Sequence, residues 1–309
     1  MVQSKEDTRS QPKVIIHTLI LAFTTVLSLT GNSLVCLAVY KNRRLRTITN
    51  LYVLSLAVAD LFTAMFGYSF TAIASGLREW PFGFSFCTFQ GFLLYVWSLV
   101  STNILALTAV NRYFCIVKPK YYPALFTKTK TIFSIIFMWL FTFSSCLTAN
   151  IVASVSYQWD SHFIFCQVTG IEIEAEKVLS FAIGSVFIAL PMCIIFFCYS
   201  RVYCTIKRHN SAVIPSLREE NNRLTAHAHE VQVSRVLFAA VFAFWICWIP
   251  VTTVHILLRA AEVSVPSFWL SFSTLALGCS LWINAIIYGI MNRAIRKEFQ
   301  RLLRCPKEN

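Results

Sequence analysis

Charge is what this chain has least of. Only 13% of its 309 residues are Asp, Glu, Lys or Arg, and the acids number 14 against 27 bases, while 57% of the chain is hydrophobic. That composition excludes an ordinary soluble domain, and the length excludes a single membrane span. Seven stretches carry no charged residue or one interruption: 14–40, 47–77 broken by Asp60, 80–111, 131–159, 178–200, 236–258 and 263–292. Each exceeds the roughly 20 apolar residues a helix needs to cross a hydrocarbon core about 30 Å thick, whereas a membrane β-barrel would show segments of about ten alternating residues. Among eleven cysteines there is no CxxC or His-spaced zinc pattern. A transporter reading lacks internal repeats and paired Gly/Pro interruptions. The spans hold a single carboxylate, which leaves a membrane enzyme without a catalytic constellation. The opening residues MVQSKEDTRSQP lack the apolar core of a cleavable signal peptide, so the first span is expected to act as its own signal anchor. They also contain no Asn-x-Ser/Thr acceptor.

What charge there is lies in bands. Lys41, Arg43, Arg44 and Arg46 follow the first span. Arg112, Lys118, Lys120, Lys128 and Lys130 fall between the third and fourth, further bases between the fifth and sixth, and Arg293, Arg296, Lys297, Arg301, Arg304 and Lys307 after the seventh. The intervening segments hold only Lys5, Arg9, Lys13, Arg78, Lys177 and Arg259. Positive residues concentrate on the cytoplasmic side, so the N-terminus is expected outside and the C-terminus inside. This banding, rather than nucleic acid binding, accounts for the net charge of +13. The expected layout is an all-α seven-helix membrane domain at 14–292, an extracellular segment at 1–13, and a cytoplasmic amphipathic helix and tail at 293–309.

Several residues are out of place in hydrocarbon. Arg112 ends the third span; a guanidinium cannot shed its proton, so it either snorkels to the interface or is received by partners in a functional site. Asp60 needs a cation, a proton or a polar cluster at its depth; a protonated Asp that only packs helices meets the same need. Asn32, after Gly31, must face other helices. Pro191 and Pro250 are kink positions, and Trp248 lies within a turn of the second. Cys87 and Cys166 fall in outward segments where a bridge is permitted; most of the others sit inside spans and read as buried small hydrophobes. The segment around Cys166 is compatible with a short hairpin, and the acids Glu172, Glu174 and Glu176 after it read most simply as a solvated face. His227 and His229 lack supporting metal ligands. Ile295, Phe299, Leu302 and Leu303 form the apolar face of an interfacial helix, and Cys305 beyond it has the setting of S-palmitoylation.

Taken in order, Gly31-Asn32, LAVAD ending at Asp60, Cys87, Asn111-Arg112-Tyr113, Trp139, Cys166, Pro191, Tyr199, Cys247-Trp248-Ile249-Pro250 and Asn284-Ala285-Ile286-Ile287-Tyr288 resemble the rhodopsin-like G-protein-coupled receptors. NRY in place of DRY, and NAIIY in place of NPxxY, are similar to melatonin receptors. The resemblance departs at the outer end: the fourth helix ends Leu147-Thr148-Ala149-Asn150 without the Pro-Asn pair of that group, and Thr252 stands where that group has an Asn.

The resemblance implies a receptor rather than an enzyme, located in the plasma membrane, with a heterotrimeric G protein, arrestin, a receptor kinase and membrane lipids as partners. An extracellular small molecule would contact Leu94, Tyr95, Ser98, Gln167, Phe187, Trp248, Thr252 and His255. Leu94 stands where amine receptors carry an acid, which removes the counterion for a cationic amine. Gly278 stands where visual pigments carry their lysine, which excludes a retinal Schiff base, so no covalent cofactor is expected. Asn111, Arg112, Tyr113, Tyr199, Glu230, Trp248, Pro250, Asn284 and Tyr288 would form the activation switch. Arg112 would be held by Glu230 at rest, and less firmly because Asn111 is no carboxylate. Asp60, Ser101, Ser280 and Asn284 match a sodium site, with Leu281 replacing one oxygen; Thr102 replaces the aliphatic residue beside Pro191 and Phe244. Other readings are a receptor with a noncovalent lipid or retinoid ligand, a constitutive signaller, and a transporter.

Overall fold

A computed structural model describes residues 7, 9–169, 178, 181–212, 221–259, 261 and 263–303, with the backbone alone at 209–212, 221–229 and 259. Seven helices are long and apolar enough to cross a membrane: α1 Gln11–Lys41, α2 Ile48–Leu77, α3 Gly83–Val117, α4 Lys128–Val152, α5 Phe181–Arg208, α6 Asn221–Arg259 (its apolar part Glu230–Leu258) and α7 Ser267–Met291. A shorter helix, α8 Arg293–Leu303, follows. Cys305 and the Glu172, Glu174, Glu176 cluster lie outside the described residues, and His227 and His229 are described by backbone only.

Local chemistry sets the ends. Pro12 opens α1, where its missing N–H costs nothing. The hydroxyls of Thr47 and Thr127 cap α2 and α4 by accepting from Asn50 N and Lys130 N, both at 3.3 Å. The helices do not coincide with the uncharged stretches: the third runs on to Val117 and the fifth to Arg208, and three others differ for local reasons. The first helix starts a turn before residue 14, because Lys13 is carried at its outer end. The sixth begins at Asn221, where polar residues continue it beyond the apolar part. The fourth stops at Val152 rather than 159, where the chain turns through Ser154 at φ +47° into a strand.

Two helices widen by a turn. α2 has a π-helical turn at Thr63–Tyr68, after Asp60, and α5 has one at Ser185–Ala189, just before Pro191, whose ring and missing N–H disturb the preceding turn. α6 keeps Pro250 inside the helix.

The core gathers about α3, the most enclosed helix, while α4 is the least. α1 lies tight on α7: a Cβ on Gly31 would meet that of Ala285 at 2.9 Å. Asn32 is 1% exposed, and its Nδ2 donates to the Leu281 carbonyl at 2.7 Å; Ser28, one turn earlier, donates to the same carbonyl at 3.2 Å and to that of Asp60 at 3.4 Å. Asn32 therefore answers its own desolvation by joining α1 to α7. Trp139 packs as expected and also donates to Ser55 Oγ at 3.0 Å, joining α4 to α2.

The hairpin expected around Cys166 is present. β1 (Ser156–Asp160) pairs antiparallel with β2 (Phe165–Thr169), and the Asp160 carboxylate closes the turn by accepting from His162 N and Phe163 N at 2.8 and 3.1 Å. Cys166 is bridged to Cys87 of α3. A Cβ on Gly91 would stand 2.8 Å from the Cys166 carbonyl, so only glycine there lets the hairpin lie against α3.

On α8, Ile295 is fully buried against the bundle, while Leu303 is 69% exposed, as an apolar residue of an interfacial helix is where a membrane would cover it. Glu298 also takes an inward place, accepting from Asn42 Nδ2 of the first inner loop at 3.0 Å.

Candidate functional site

Three groups of the singled-out residues lie along the bundle. At the basic end, Arg112 is 2% exposed, so it does not snorkel. Its Nη1 donates to Glu230 Oε2 of α6 at 2.7 Å, and its Nη2 and Nε donate to Asn111 Oδ1 at 2.7 and 3.2 Å. Nη2 also reaches Thr49 Oγ1 of α2. The Thr49 hydroxyl donates in turn to Asn111 Oδ1 at 3.2 Å, and Asn111 Nδ2 donates to Tyr122 Oη at 3.3 Å. Asn111 brings no charge, yet its amide oxygen collects three donors. Arg112 is thus held from α2, α3 and α6 together. Burial raises the pKa of Tyr122 above its ordinary value, with the Asn111 hydrogen bond and the Arg112 charge acting the other way.

Tyr199 and Tyr288 are buried nearby, and the Tyr199 hydroxyl has no hydrogen-bond partner among the described residues. The Tyr199 ring meets Phe238 of α6 edge-on at 5.4 Å. Tyr113 is turned away from Arg112 to pack on Phe197 of α5, 5.8 Å between centroids.

At mid-depth, Asp60, Ser101, Ser280 and Asn284 are all at most 4% exposed. Asp60 Oδ2 and Asn284 Oδ1 have no hydrogen-bond partner among the described residues. The Ser280 hydroxyl gives its proton to the Leu277 carbonyl at 2.7 Å, leaving its lone pairs free to accept. Leu281 turns instead into a separate cluster with Leu21 and Tyr68. Two orphaned oxygens at full burial are costly alone and suit a small hard cation. Trp248 stacks on Phe244 at 5.3 Å, and its Nε1 is also unpartnered. Thr102 gives its hydroxyl to the Ser98 carbonyl at 3.1 Å, so it presents a methyl to its neighbours.

Toward the hairpin, Gln167 is 9% exposed, and its Nε2 has no hydrogen-bond partner among the described residues. Thr252 spends its hydroxyl on the Trp248 and Ile249 carbonyls at 2.9 and 3.0 Å. His255 Nδ1 lies 2.8 Å from the Val251 carbonyl and its ring 6.0 Å from that of Phe163. Phe187 is buried against Phe141 of α4 at 5.5 Å. Leu94 covers Gly67, while Tyr95 is 38% exposed. The turn of the hairpin enters the bundle: Ile164 is fully buried and the Phe163 carbonyl accepts from Thr274 of α7 at 2.6 Å.

Thr49, Tyr122, Ser28, Phe163, Thr274 and Glu298 were not foreseen. Ser28 alone has a sequence signal, four residues from Asn32 and so on the same helix face.

Residues 31–288 match the family described as "7 transmembrane receptor (rhodopsin family)". Among curated proteins, the melatonin receptor type 1A of Ovis aries is 27% identical over 301 residues, covering 96% of this chain and 80% of that one. The melatonin receptor type 1A of Gallus gallus is 29% identical over 291 residues, covering 92% and 79%. The crystal structure of squid rhodopsin superposes with a TM-score of 0.84 at 19% identity, covering all of this chain and 93% of the other, a likeness of fold.

Proposed function

The chain belongs to the rhodopsin family of seven-transmembrane receptors, and from that premise we propose that it stands in the plasma membrane with its N-terminus outside and relays a neutral, indole-type ligand to a heterotrimeric G protein. The melatonin receptors of sheep and chicken, similar over almost the whole chain, support the indole class. So does the chemistry of the outer pocket. Gln167 Nε2 and Trp248 Nε1 are buried donors without acceptors among the described residues, which a ligand bearing carbonyl or ether oxygens would satisfy. The eight pocket residues include no carboxylate to hold an ammonium.

The observation that carries the reading is the pair between Arg112 and Glu230. It spans α3 and α6, and α6 also bears Pro250 and Trp248. A ligand that prefers one position of Trp248 biases the bend at Pro250 by its difference in affinity for the two states. Tilting α6 outward removes Glu230 from Arg112. The Tyr199 hydroxyl, unpartnered when the mouth is closed, and Tyr288 then receive the guanidinium, and the vacated cleft admits a G-protein helix. Arrestin and a receptor kinase would read the same opened face.

Asp60 Oδ2 and Asn284 Oδ1, with Ser101 and Ser280, would hold sodium, which supplies the positive charge the orphaned oxygens lack. Sodium bound there stabilises the closed arrangement. Raising sodium should then slow ligand-free nucleotide exchange in the wild type but not in Asp60→Asn.

The function is tested by guanine-nucleotide exchange on a panel of purified heterotrimers with reconstituted receptor, with and without melatonin and related indoles. Acceleration of exchange by an indole is the result expected. Exchange by the receptor that no indole alters would overturn the ligand class, and no exchange on any heterotrimer the coupling.

A further inference from the structure

Away from the axis of the bundle, a groove of about 450 Å³ opens on the outer flank of α1 and α2. Leu37, Val39 and Tyr40 of α1 and Leu51, Leu54 and Val58 of α2 line it. Tyr40 is 72% exposed and Leu37 43%, and this flank faces hydrocarbon in a membrane. The basic end of the groove is distinctive. Arg46 stands at its rim, with Nε donating to the Val39 carbonyl at 3.3 Å, Nη2 to that of Tyr40 at 2.5 Å, and the guanidinium 5.9 Å from the Tyr40 ring. A flexible side chain is thereby fixed as a cation where the apolar channel meets the headgroup layer.

Lys41, Arg43 and Arg44 are exposed beside it. No Asp or Glu occurs anywhere in 14–59 to neutralise them. An acid that does reach this corner, Glu298, is 6% exposed and already accepts from Asn42 Nδ2 at 3.0 Å. The first inner loop therefore presents four bases and, among the described residues, no available carboxylate at the mouth of an apolar channel. One occupant matches both parts: a phospholipid whose acyl chain fills the channel and whose negative headgroup sits on the loop.

We propose that the α1/α2 groove is a binding site for an anionic phospholipid, with its acyl chain along Leu37, Leu51 and Leu54 and its headgroup held by Arg43, Arg44 and Arg46. Phosphatidylserine fits, since its phosphate and carboxylate leave a net negative charge, whereas phosphatidylcholine is neutral overall. The site is independent of the outer pocket, so its failure would leave the receptor reading intact.

The test uses the full-length receptor in nanodiscs of phosphatidylcholine and phosphatidylserine with identical acyl chains in equal amounts. Native mass spectrometry reads which lipid stays bound on release. Both leaflets have one composition, so orientation does not enter. The wild type should retain phosphatidylserine preferentially. A basic side chain near the headgroup contributes about fivefold in affinity, so Arg43→Gln/Arg44→Gln should cut that preference by more than about tenfold. Leu37→Trp, which fills the groove without touching charge, should lower retention as well. Arg296→Gln/Lys297→Gln on α8 should leave the preference in place. No preference in the wild type would overturn the proposal, as would a preference that survives the Arg43/Arg44 or Leu37 changes. A loss from the α8 pair equal to that from the loop pair would also overturn it, since charge alone, without the groove, would then be collecting the lipid.

Discussion

Among the described residues two arginines are buried, one at each end of the bundle, and they are handled differently. Arg9 and Arg112 are 8% and 2% exposed, and each meets a carboxylate, at 2.6 and 2.7 Å. Arg9 takes its acid from two residues away: Asp7, 3% exposed, receives Nε and Nη2 together in a fork, and the guanidinium reaches Ser75 of α2 at 3.2 Å and His17 Nδ1 at 3.5 Å. Arg112 takes its acid from 118 residues away, on a different helix, and the Glu230 side chain is 42% exposed. The first pair travels with one strap of chain and can only clamp the outer ends of α1 and α2. The second parts if α6 moves, and its acid can return to water when released, so separation costs far less than stranding a buried charge. What makes a buried ion pair a switch is where its partner is anchored and whether water can reach it.

The largest effect should come from parting the Arg112 pair. Glu230→Gln keeps the shape and removes the charge, at a cost between the ~1 kcal/mol of an exposed pair and the ~3 kcal/mol of a buried one. Shifts of that size move a two-state equilibrium about 5- to 150-fold. Ligand-free nucleotide exchange should rise within that range, and spin labels on the inner ends of α3 and α6 should move apart. A basal rate equal to wild type would make the inner pair a clamp like the outer one.

Asp7→Asn is the counterpart. It should lower the Tm of the purified receptor, at about 1–3 kcal/mol for a buried partner left unsatisfied, and leave ligand-free exchange unchanged. The two variants thus separate stability from signalling. Burial pushes the Asp7 carboxyl up, but the hydrogen bonds and charge of Arg9, with the charge of Arg78, outweigh it and hold its pKa below the ordinary carboxylate value. A depressed pKa means the contribution is complete above the unfolded value near ~3.9 and is lost as pH falls through the folded one. The Tm gap between wild type and Asp7→Asn should therefore stay constant through neutral pH and close only in acid.

That contrast also marks what the sequence discloses. Arg112 is conspicuous because it interrupts an apolar run, and Asn32 and Asp60 stand out for the same reason; Glu230 lies before the sixth uncharged stretch and is marked only by the family resemblance. Arg9 and Asp7 lie in a polar segment where charge is ordinary, so nothing in their pattern announces burial. Thr49 and Thr274 are hidden by being threonines in helices, where the default is to bond their own backbone. Their partners, Arg112 and the Phe163 carbonyl, come from elements whose approach depends on packing. The turn of the outer hairpin is the clearest case: the alternation around Cys166 forecasts strands, but the full burial of Ile164 follows from the Cys87 bridge and from Gly91 giving way to the hairpin.

A smaller change sharpens the comparison from the other direction. Asn111→Asp supplies the inner arginine with a carboxylate on its own helix, as Asp7 does for Arg9. Three donors already converge on Asn111 Oδ1, so the Arg112 side of the site needs no rearrangement. Hydrogen bonds to charged acceptors exceed neutral ones by ~1 kcal/mol, and ligand-free exchange should fall about fivefold. Unchanged exchange would mean that Asn111 merely fills space beside the pair.

The smallest effect belongs to Tyr122, whose phenol accepts from Asn111 Nδ2 at a long 3.3 Å. Tyr122→Phe removes an acceptor worth about 0.5 kcal/mol, so exchange should rise only about twofold. Its value lies in combination. With Asp at 111 the phenol must reverse its role and donate to a carboxylate oxygen, a charge-assisted bond roughly twice as strong. Tyr122→Phe should therefore raise exchange more in the Asn111→Asp background than in the wild type, and the non-additivity measures how far the local acid has tied Arg112 to α3. Additive effects would place Tyr122 outside the lock and leave the inner arginine governed by Glu230 and Thr49.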